Sequence, residues 1–501
     1  MLIPKEVKNV VGKLQKNGFE AYIVGGCVRD FLLARRSKSE GGLEQEPQDW
    51  DITTNAKPEE IRKIFPKSFY ENKFLTVTVQ TGSKNQRLSE IEITTYRLET
   101  KYTDKRHPDE VRFAKTLEED LARRDFTINA IALEIFSTPN TKHLTPKIID
   151  PFNGQKDLKD KIIKTVGNPD DRFSEDALRM IRAIRFATTL GFTIEEKTAS
   201  AIKKNAVWLK AISKERIRDE FLKIIMSDRP EEGIELLRES GLLQFIAPEL
   251  LESYKITQNK HHIYDCWEHS LFSLKYTAQK KFNQNVRLAA LFHDIGKPRV
   301  KRGEGLDSTF YNHEIVGARM TKEILETLKF SKKDIDKVVR LVRYHLFYYN
   351  AGEVTDSSVR RLVRNVGPEN MEELLQVRQA DRIGSGVPKA EPYKLRHLKY
   401  VVEKVSRDPI SAKMLKVNGN DIMKLLEIKP GPKIGQILDI LLGMVLLDPK
   451  KNKKDFLEKE VKKLAKLSEK ELSSLAQGAK KEREEIETKE DKMTKQKYWV
   501  T

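Results

Sequence analysis

The chain has 501 residues, of which 39% are hydrophobic and 34% are charged, and its formal net charge at pH 7 is +18. This length is too great for a single hydrophobic core, so we expect about three or four domains or subdomains, and the apolar fraction argues against wholesale disorder. The positive charge favours an anionic partner, most economically nucleic acid, although a lysine-rich tail alone could produce it.

Cysteine usage and hydropathy indicate where the chain works. Cys27 and Cys266 are its only cysteines, far apart and without zinc-like spacing, which fits a reducing cytoplasm and no disulfide bond. The beginning of the chain lacks the apolar region of a signal peptide. The longest apolar stretch, residues 437–447, is too short to cross a bilayer and predicts a buried helix. We therefore expect a cytoplasmic protein with no membrane span.

Residues 1–150 mix strand and helix patterns. Apolar and β-branched residues with period-two alternation predict strands, and a proline in a first turn predicts the start of a helix. The predicted strands are 21–26, 50–54, 75–82 and 90–97, and the predicted helices are 28–36 and 57–65. The polar, glycine-containing segment 37–47 predicts a mobile surface loop.

Two aspartates are separated by one residue at the strand predicted over 50–54. Successive side chains on a strand face opposite sides, so Asp49 and Asp51 should share one face while Trp50 points to the other. Two such carboxylates repel unless cations lie between them, and oxygen ligands suit Mg²⁺. Paired metals could clamp the attacking and leaving groups of a phosphoryl transfer. Glu92, on a neighbouring predicted strand, could add a third catalytic carboxylate.

The glycines before these aspartates belong to a longer series of motifs. Gly25 and Gly26 end the first predicted strand, where their backbone amides could approach a triphosphate. A single pair of spaced aspartates is weak support for a function, but six motifs follow one another as in class II tRNA nucleotidyltransferases and bacterial poly(A) polymerases. They are GGCVRD (25–30), DWDITT (49–54), EITTYR (92–97), DLARRDFTINAIA (120–132), DPFNGQKDL (150–158) and EDALRMIRAIRFA (175–187). The chain therefore resembles that family over nearly all of residues 20–450.

The resemblance implies an α+β protein: a polymerase-beta-like nucleotidyltransferase head, then an all-α neck, an HD domain and a helical C-terminal region. It also implies nucleotide contacts for Gly25, Gly26 and Arg29. The expected divisions are a head at 1–158, a helical neck with the base-reading motif at 159–228, a helical linker at 229–258, an HD domain at 259–385, a helical tRNA-binding region at 386–470 and a charged tail at 471–501.

From about residue 160 the pattern is almost entirely helical, and residues 174–192 predict one helix that begins at a serine cap. Asp176 and Arg179 would then share a helical face. A carboxylate can accept from the exocyclic amine of adenine or cytosine while a guanidinium donates to the adjacent ring nitrogen; guanine and uracil reverse that order. The pair suits ATP and CTP, and the resemblance implies the same roles. On spacing alone, an intrahelical salt bridge is the alternative.

The motif RRD (123–125) resembles the family's ribose-reading motif and could contact the sugar hydroxyl and the triphosphate. The candidate side chains are Arg123, Arg124, Asp125 and Asn129. Arg182 and Arg185 extend the face of Arg179 at intervals of three residues. We expect Arg182 to contact phosphate, although either arginine could simply neutralise nearby acids.

A histidine-rich helical block runs from about 259 to 385. Six of the nine histidines fall between 261 and 345, and HDIGKP (293–298) is distinctive. Histidine and aspartate bind divalent transition metals well, and such a metal could support phosphoester hydrolysis. The block resembles the HD phosphohydrolase superfamily, whose four basic positions match His269, His293, Asp294 and Asp381. His313 and His345 could enlarge the site to two metals. Some HD domains are purely structural, so catalysis at this site stays open.

Residues 415–438 resemble the C-terminal region with which the family grips tRNA. The segment KPGPKIG offers backbone amides and lysines near a helix start, which suits phosphate. The RNA-binding candidates are Lys429, Gly431, Lys433 and Gly435, and an ordinary connector between helices is the alternative. Residues after 470 predict a mixed-charge helix or disorder.

Three activities are compatible with these motifs. The chain could add CCA to tRNA from CTP and ATP; it could be a poly(A) polymerase or an enzyme that adds only CC or only A; or it could be an HD phosphohydrolase with a vestigial head. Residues 97–121 resemble the flexible loop that CCA-adding enzymes keep, and residues 71–79 lack the basic phenylalanine-containing segment of poly(A) polymerases. CCA addition is therefore the prediction, with the oligomeric state open.

The sequence also departs from the family pattern at two places. The spacer between residues 35–36 and Asp49 is longer than usual, which predicts a loop that bulges near the nucleotide entrance. Residues 71–77 lack the glycine that often precedes the threonine-containing strand.

Overall fold

The computed structural model describes residues 3–39, 47, 49–71, 76–100, 110–135, 146–259, 263–406, 412 and 415–500. The chain forms two compact units, one of residues 1–345 with 380–387 and one of residues 346–379 with 388–501. The first contains a seven-stranded sheet and many helices, whereas the described part of the second is helical. The predicted α+β class is confirmed.

The strands of the head form one mixed sheet and a small separate pair. They are β1 (Ala21–Val24), β2 (Asp51–Thr54), β3 (Ser68–Glu71), β4 (Thr76–Gln80), β5 (Glu90–Thr95), β6 (Arg97–Thr100), β7 (Glu110–Phe113), β8 (Ala132–Glu134) and β9 (Lys147–Ile149). The sheet has the order β3-β4-β5-β2-β1-β8-β9, and β6 pairs with β7. Strand β2 runs parallel to β5 and antiparallel to β1. The strands predicted from alternation are confirmed.

Burial alternates along the strands as the sequence pattern requires. In β5, Ile91 and Ile93 are buried while Glu90 and Glu92 are exposed. One face of the sheet is thus packed against the core, and the other face carries exposed polar side chains. The helices of the head are α1 (Lys5–Lys16), α2 (Gly26–Ser39), α3 (Pro58–Ile64), α4 (Leu117–Ala122) and α5 (Gly154–Asp160).

The rest of the first unit is built mainly of helices, with β10 (Ile162–Ile163) parallel to β11 (Thr193–Ile194). These helices are α6 (Pro169–Glu175), α7 (Leu178–Leu190), α8 (Glu196–Asn205), α9 (Lys214–Ile225), α10 (Pro230–Glu239), α11 (Cys266–Gln279), α12 (Gln284–Phe292), α13 (Lys297–Val300), α14 (His313–Thr327) and α15 (Lys332–Tyr344).

The single helix predicted over 174–192 is wrong. Helix α6 is capped by Asn168, whose side chain accepts from Asp170 N. The helix ends before Asp176, and α7 begins at Leu178. Asp176 has extended φ and ψ angles of −143° and 103°, and its carboxylate accepts from Leu178 N at 3.0 Å. A short acidic side chain can thus bind nearby backbone amides instead of continuing a helix.

The second unit contains α16 (Asp356–Val366), α18 (Tyr393–Ser406), α19 (Gly419–Leu426), α20 (Pro432–Leu447), α21 (Lys454–Leu464) and α22 (Glu469–Lys497), and α17 (Met371–Gly384) ends in the first unit. A core cluster includes Ile437 and Leu441 of α20, Val461 of α21 and Leu472 of α22. The segment after 470, for which helix and disorder were both open, is therefore a helix that packs on α20.

Three further predictions from the sequence can be compared with the structure. Residues 37–39 of the predicted loop are helical, because α2 continues to Ser39; residues 40–46 and 48 lie outside the described residues. Of the predicted flexible loop 97–121, the described residues form β6, β7 and α4, and 101–109 lie outside the description. Residues 72–75 also lie outside it. Among the helices that the structure describes, none combines the length and apolar composition that a membrane crossing requires.

Candidate functional sites

Two of the three predicted catalytic carboxylates are register partners on adjacent strands. Asp51 opens β2 and lies opposite Glu92 of the parallel strand β5 and opposite Val24 of the antiparallel strand β1. Asp49 precedes the strand and is exposed, whereas Trp50 is buried. The predicted placement of Asp51 and Glu92 on neighbouring strands is confirmed. Asp49 itself lies outside β2, which begins at Asp51.

The electrostatics of this carboxylate site (Asp49, Asp51 and Glu92) indicate what it can hold. Burial raises the pKa of Asp51 to about 6; Arg124 opposes the rise, whereas Glu92 and Asp49 add to it. Burial also raises the pKa of Glu92, with further contributions from neighbouring carboxylates that include Asp49. A hard divalent cation would relieve this repulsion, and the donor set of oxygens alone fits Mg²⁺.

Gly25 is required by the geometry next to Asp51. Its φ angle is +83°, and a Cβ atom built there would lie 3.2 Å from Asp51 Oδ2 and 3.1 Å from Arg124 Nη1. Any other residue would be strained and crowded at this position. Helix α2 then begins at Gly26, so its first backbone amides lie beside the carboxylates. An anion such as a phosphate is favoured at a helix N-terminus of this kind.

The three side chains of the RRD motif differ in their contacts, although both arginines lie near Asp120. The Arg123 guanidinium donates to Asp120 Oδ1 at 3.0 Å, and Asp120 is fully buried. Arg124 approaches Gly25, and it also lies 3.6 Å from Asp120 Oδ2. The Asp125 carboxylate accepts from Arg182 at 2.6 and 2.8 Å. Of the three, Arg124 is the one that reaches the carboxylate site.

A chain of hydrogen bonds links Asp125 to the start of α2. Arg29 Nη1 donates to Asn129 Oδ1 at 2.8 Å, and Asn129 Nδ2 donates to Asp125 Oδ1 at 3.1 Å. Burial alone would raise the pKa of Asp125, but Arg182 and Arg179 hold it well below its usual range. Asp125 is therefore an ionised anchor for Arg182. A phosphate contact by Arg182 has to be made alongside this ion pair.

Three guanidinium groups surround the buried ring of Phe186. Their Cζ atoms lie 5.0 Å (Arg29), 5.5 Å (Arg182) and 3.9 Å (Arg185) from the ring centroid. Arg185 also pairs with Glu220 at 2.8 Å, and burial lowers its pKa to about 10 although Glu220 opposes this. Arg185 thus neutralises Glu220, which agrees with the alternative that this arginine simply pairs with a nearby acid. Sequence reasoning missed Phe186, although it follows Arg185 directly in the chain, and Glu220, which only the fold brings next to Arg185.

The base-reading pair, Asp176 and Arg179, makes no ion pair with itself among the described contacts. Asp176 Oδ2 instead accepts from Arg216 Nη2 at 2.7 Å. Arg179 Nη1 lies 2.5 Å from Glu175 Oε2, and its Nη2 donates to the backbone oxygen of Arg123 at 3.2 Å. Each member is held by a partner that spacing did not predict. The intrahelical salt bridge considered from the sequence does not form.

The six residues of the predicted HD site converge from well-separated parts of the first unit. They are His269, His293, Asp294, His313, His345 and Asp381. His269 Nε2 lies 2.8 Å from His293 Nε2, 3.5 Å from Asp381 Oδ1 and 3.1 Å from Asp294 Oδ2. Two ring nitrogens cannot approach so closely with both lone pairs facing each other unless a cation or proton lies between them.

The second half of this histidine–aspartate site shares the same aspartate. His313 Nε2 lies 3.3 Å from Asp294 Oδ1 and 3.3 Å from His345 Nε2. The donors thus form two groups that could each hold a metal, His269–His293–Asp381 and Asp294–His313–His345. Asp294 faces both groups through different oxygens, which is the position of a bridging carboxylate.

Backbone carbonyl groups orient three of the imidazoles. The Nδ1 atoms of His293, His313 and His345 lie 2.8, 2.7 and 2.7 Å from the carbonyl oxygens three residues earlier. An Nδ1–H that donates to such an oxygen leaves Nε2 as the electron-pair donor, which is the arrangement that metal-binding histidines use. The residues therefore fit a divalent transition metal.

Lys297 is a member of this site that sequence reasoning did not assign. It is buried, and its Nζ atom lies 2.6 Å from Asp294 Oδ2 and 2.5 Å from Gln258 Oε1. Burial would raise the pKa of Asp294, but His293 and Lys297 hold it well below its usual value. Lys297 lies in the motif HDIGKP, three residues after Asp294, but only the fold shows the contact between these two side chains.

The predicted RNA-binding segment lies at the start of α20 in the second unit. Gly431 is the N-cap residue, so the predicted helix start is confirmed, and Lys429 and Gly435 are exposed. Lys433 Nζ donates to the backbone oxygen of Ala465 at 3.0 Å. Lys433 therefore caps the end of α21 in this structure, which supports the alternative of an ordinary helix connection for that side chain.

Three family models match the chain. The Poly A polymerase head domain matches residues 21–164, a probable RNA- and SrmB-binding site of polymerase A matches residues 191–253, and tRNA nucleotidyltransferase domain 2 matches residues 311–461. None of these three descriptions mentions the histidine–aspartate site.

Full-length relatives and a solved structure agree with these matches. The chain is 34% identical over 475 residues to the CCA-adding enzyme of Ligilactobacillus salivarius, covering 92% of this chain and 98% of the relative. It is 32% identical over 478 residues to that of Pediococcus pentosaceus, with the same coverage. The crystal structure of the Bacillus stearothermophilus CCA-adding enzyme in complex with CTP matches 92% of this chain and 98% of its own, with a TM-score of 0.58 and 27% identity. The chain therefore belongs to the family of CCA-adding enzymes, which are class II tRNA nucleotidyltransferases that share their head with poly(A) polymerases.

Proposed function

We propose that this protein adds CCA to the 3′ end of tRNA from CTP and ATP, without a template and with release of pyrophosphate, in the cytoplasm. The observation that carries the proposal is the pairing of Asp51 with Glu92 on two parallel strands, against a glycine turn that leads into α2. A carboxylate site and a phosphate-binding helix start thus lie side by side, as nucleotidyl transfer requires.

Asp49, Asp51 and Glu92 would hold Mg²⁺. Bound Mg²⁺ would supply charge neutralisation for the attacking hydroxyl, the transferred phosphate and the leaving pyrophosphate. The protein supplies the rest of the positive charge. Arg124 lies beside the glycine turn, and Arg29 and Arg182 lie around Phe186. These three guanidiniums and the first amides of α2 would orient the triphosphate.

Base choice is assigned to Asp176 and Arg179. Asp176 would accept from the exocyclic amine, and Arg179 would donate to the neighbouring ring nitrogen of cytosine or adenine. Because cytosine and adenine share this edge, one pair can serve both nucleotides while rejecting uracil and guanine. Arg216 and Glu175 support the pair, since each already binds one of its members. A protein surface that reads the base directly needs no template strand.

Product sizing tests this function. A tRNA that ends at the discriminator base is incubated with labelled CTP, with labelled ATP and with both. Three added residues with both nucleotides, and two with CTP alone, are the expected result. A long adenylate ladder would identify a poly(A) polymerase, and products that stop at two residues with both nucleotides would identify a CC-adding enzyme; either outcome contradicts the proposal.

A second candidate activity is metal-dependent phosphohydrolysis of RNA ends at the histidine–aspartate site. The observation that favours it is the sharing of Asp294 between two buried donor groups, each able to hold a divalent transition metal. Release of phosphate from a terminal phosphomonoester, or opening of a terminal cyclic phosphate, in the presence of Mn²⁺ or Ni²⁺ would support it. Failure of the purified protein to do either with any added metal would assign these helices a structural role.

A further inference from the structure

Helix α16 of the second unit has two opposite faces of different chemistry. Val359, Val363 and Val366 are buried and face the interior of the unit. Arg360, Arg361 and Arg364 are exposed. At 3.6 residues per turn these arginines lie within about 100° of the helix circumference, on the side away from the valines. The helix therefore presents a compact surface of three guanidinium groups, here named the arginine face.

Among the described residues, the arginine face has no partner within the chain. Within the part of the chain that the structure describes, its three side chains make no ion pair, hydrogen bond or ring contact. On the long helix α22, by contrast, Lys480 pairs with Asp439 and Lys497 pairs with Glu403. These two lysines are neutralised within the unit, whereas the charge of the arginine face is free to act on another molecule.

The chemistry around the three arginines favours nucleic acid over an acidic protein. The other exposed residues of α16 are Ser357, Ser358 and Asn365, which are hydrogen-bonding side chains. Protein interfaces need an apolar or aromatic centre, and the exposed surface of α16 offers none. The planar guanidinium group matches phosphate oxygens in a bidentate manner, and polar side chains of this kind are typical contacts to a nucleic-acid backbone.

We propose that the arginine face binds the phosphodiester backbone of the tRNA, at a distance in sequence from every residue assigned to catalysis. The inference rests on the proposed function, because it takes tRNA as the substrate. It assigns the second unit a docking surface that reads no base and holds the RNA by charge. Such contacts position a nucleic acid and make its binding depend on salt.

The test compares two variants that lose the same number of charges from the same unit. R360Q/R361Q/R364Q removes the arginine face and keeps residues that favour a helix. K454Q/K463Q/K480Q is the control, because each of these exposed lysines pairs with a carboxylate: Glu458, Glu460 and Asp439. The dissociation constant of a tRNA lacking CCA is measured at several salt concentrations, together with steady-state CTP incorporation and thermal melting.

The proposal predicts that the arginine variant binds tRNA about tenfold or more weakly at moderate salt, and that its slope of log affinity against log salt falls by about two. KM for tRNA rises, while KM for CTP, kcat and the melting temperature stay unchanged. The lysine variant shows a smaller loss. If both variants bind tRNA equally, or if the arginine variant binds like the wild type, the face does not hold RNA.

The wild-type protein in the same assay separates a failure of the proposed function from a failure of the arginine face. Absence of CTP incorporation by the wild type would contradict the proposed function. Normal wild-type activity with equal behaviour of the two variants would contradict only the arginine face.

Discussion

The first unit contains two sites rich in carboxylates or histidines, and they differ in exposure and in donor atoms. The carboxylate site of the head has oxygen donors only, and two of its members, Asp49 and Glu92, are exposed. The histidine–aspartate site combines nitrogen and oxygen donors, and His269 and His293 are completely buried. One chain has therefore kept two environments that suit different cations.

Because the two sites differ in exposure and in donor atoms, they can be separated by experiment. An open oxygen site suits ions that arrive with a triphosphate and leave with pyrophosphate. A buried site of imidazoles fixed by carbonyl oxygens suits a metal that stays with the protein. Substitutions and metals that act on one site should therefore leave the other unaffected, unless the histidine–aspartate site is only a structural part of the unit.

The largest expected effect comes from Asp51→Ala. Because Asp51 pairs with Glu92 and faces Gly25, its loss should lower CTP and ATP incorporation by at least about a thousandfold, which corresponds to several kcal/mol of the activation barrier. Single-turnover extension of a tRNA lacking CCA measures this. Glu90→Ala removes an exposed carboxylate from the neighbouring strand β5 and should extend tRNA at the wild-type rate. Retained activity of Asp51→Ala in a protein that melts normally would contradict the assignment of the carboxylate site.

The next effect concerns Asp294→Asn. The substitution keeps the shape of the side chain but removes the charge that both donor groups share, so metal-dependent phosphohydrolysis should fall by about a hundredfold. CTP incorporation should be unchanged. Asp307→Asn, at an exposed residue of the same unit, is the control. Loss of both activities together would instead show that the histidine–aspartate site supports the fold, and the separation of the two sites would then be wrong.

A smaller effect is expected for Arg216→Gln. The carboxylate of Asp176 would lose the guanidinium that holds it, so kcat/KM for CTP should fall by about tenfold and discrimination against UTP should weaken. Arg218→Gln is the matched control on the same helix, since Arg218 pairs with Asp219. Competition between CTP and UTP in one reaction measures the discrimination. An equal loss for CTP and UTP would show that Arg216 acts only on folding.

The sequence predicts those features of the head that depend on local pattern. Alternation in 50–54 and 90–97 is a property of adjacent residues, and the corresponding strands are present. The pairing of Asp51 with Glu92 joins residues that are far apart in the chain, so alternation alone could not establish the register. The sequence suggested Glu92 as a third carboxylate on a neighbouring strand, and the structure supplied its register with Asp51.

One incorrect helix prediction and two missed residues have identifiable physical causes. Apolar residues at helical spacing continue through Asp176, so periodicity predicted one helix, whereas the side chain of Asp176 binds a backbone amide and ends it. Arg216 is forty residues from its partner and carried no local signal. Lys297 lay within a recognised motif, but its contact with Asp294 depends on how the helices of the block come together.

The most direct measurement of the central claim is metal rescue at the head. CTP is replaced by its analogue with sulfur at a non-bridging α-phosphate oxygen, and incorporation into a tRNA lacking CCA is followed in Mg²⁺ and in Mn²⁺. If Asp49, Asp51 and Glu92 hold the ions that contact the transferred phosphate, the analogue should react slowly in Mg²⁺, which binds sulfur poorly, and recover in the softer Mn²⁺. Equal rates for CTP and its analogue in both metals would contradict the assignment.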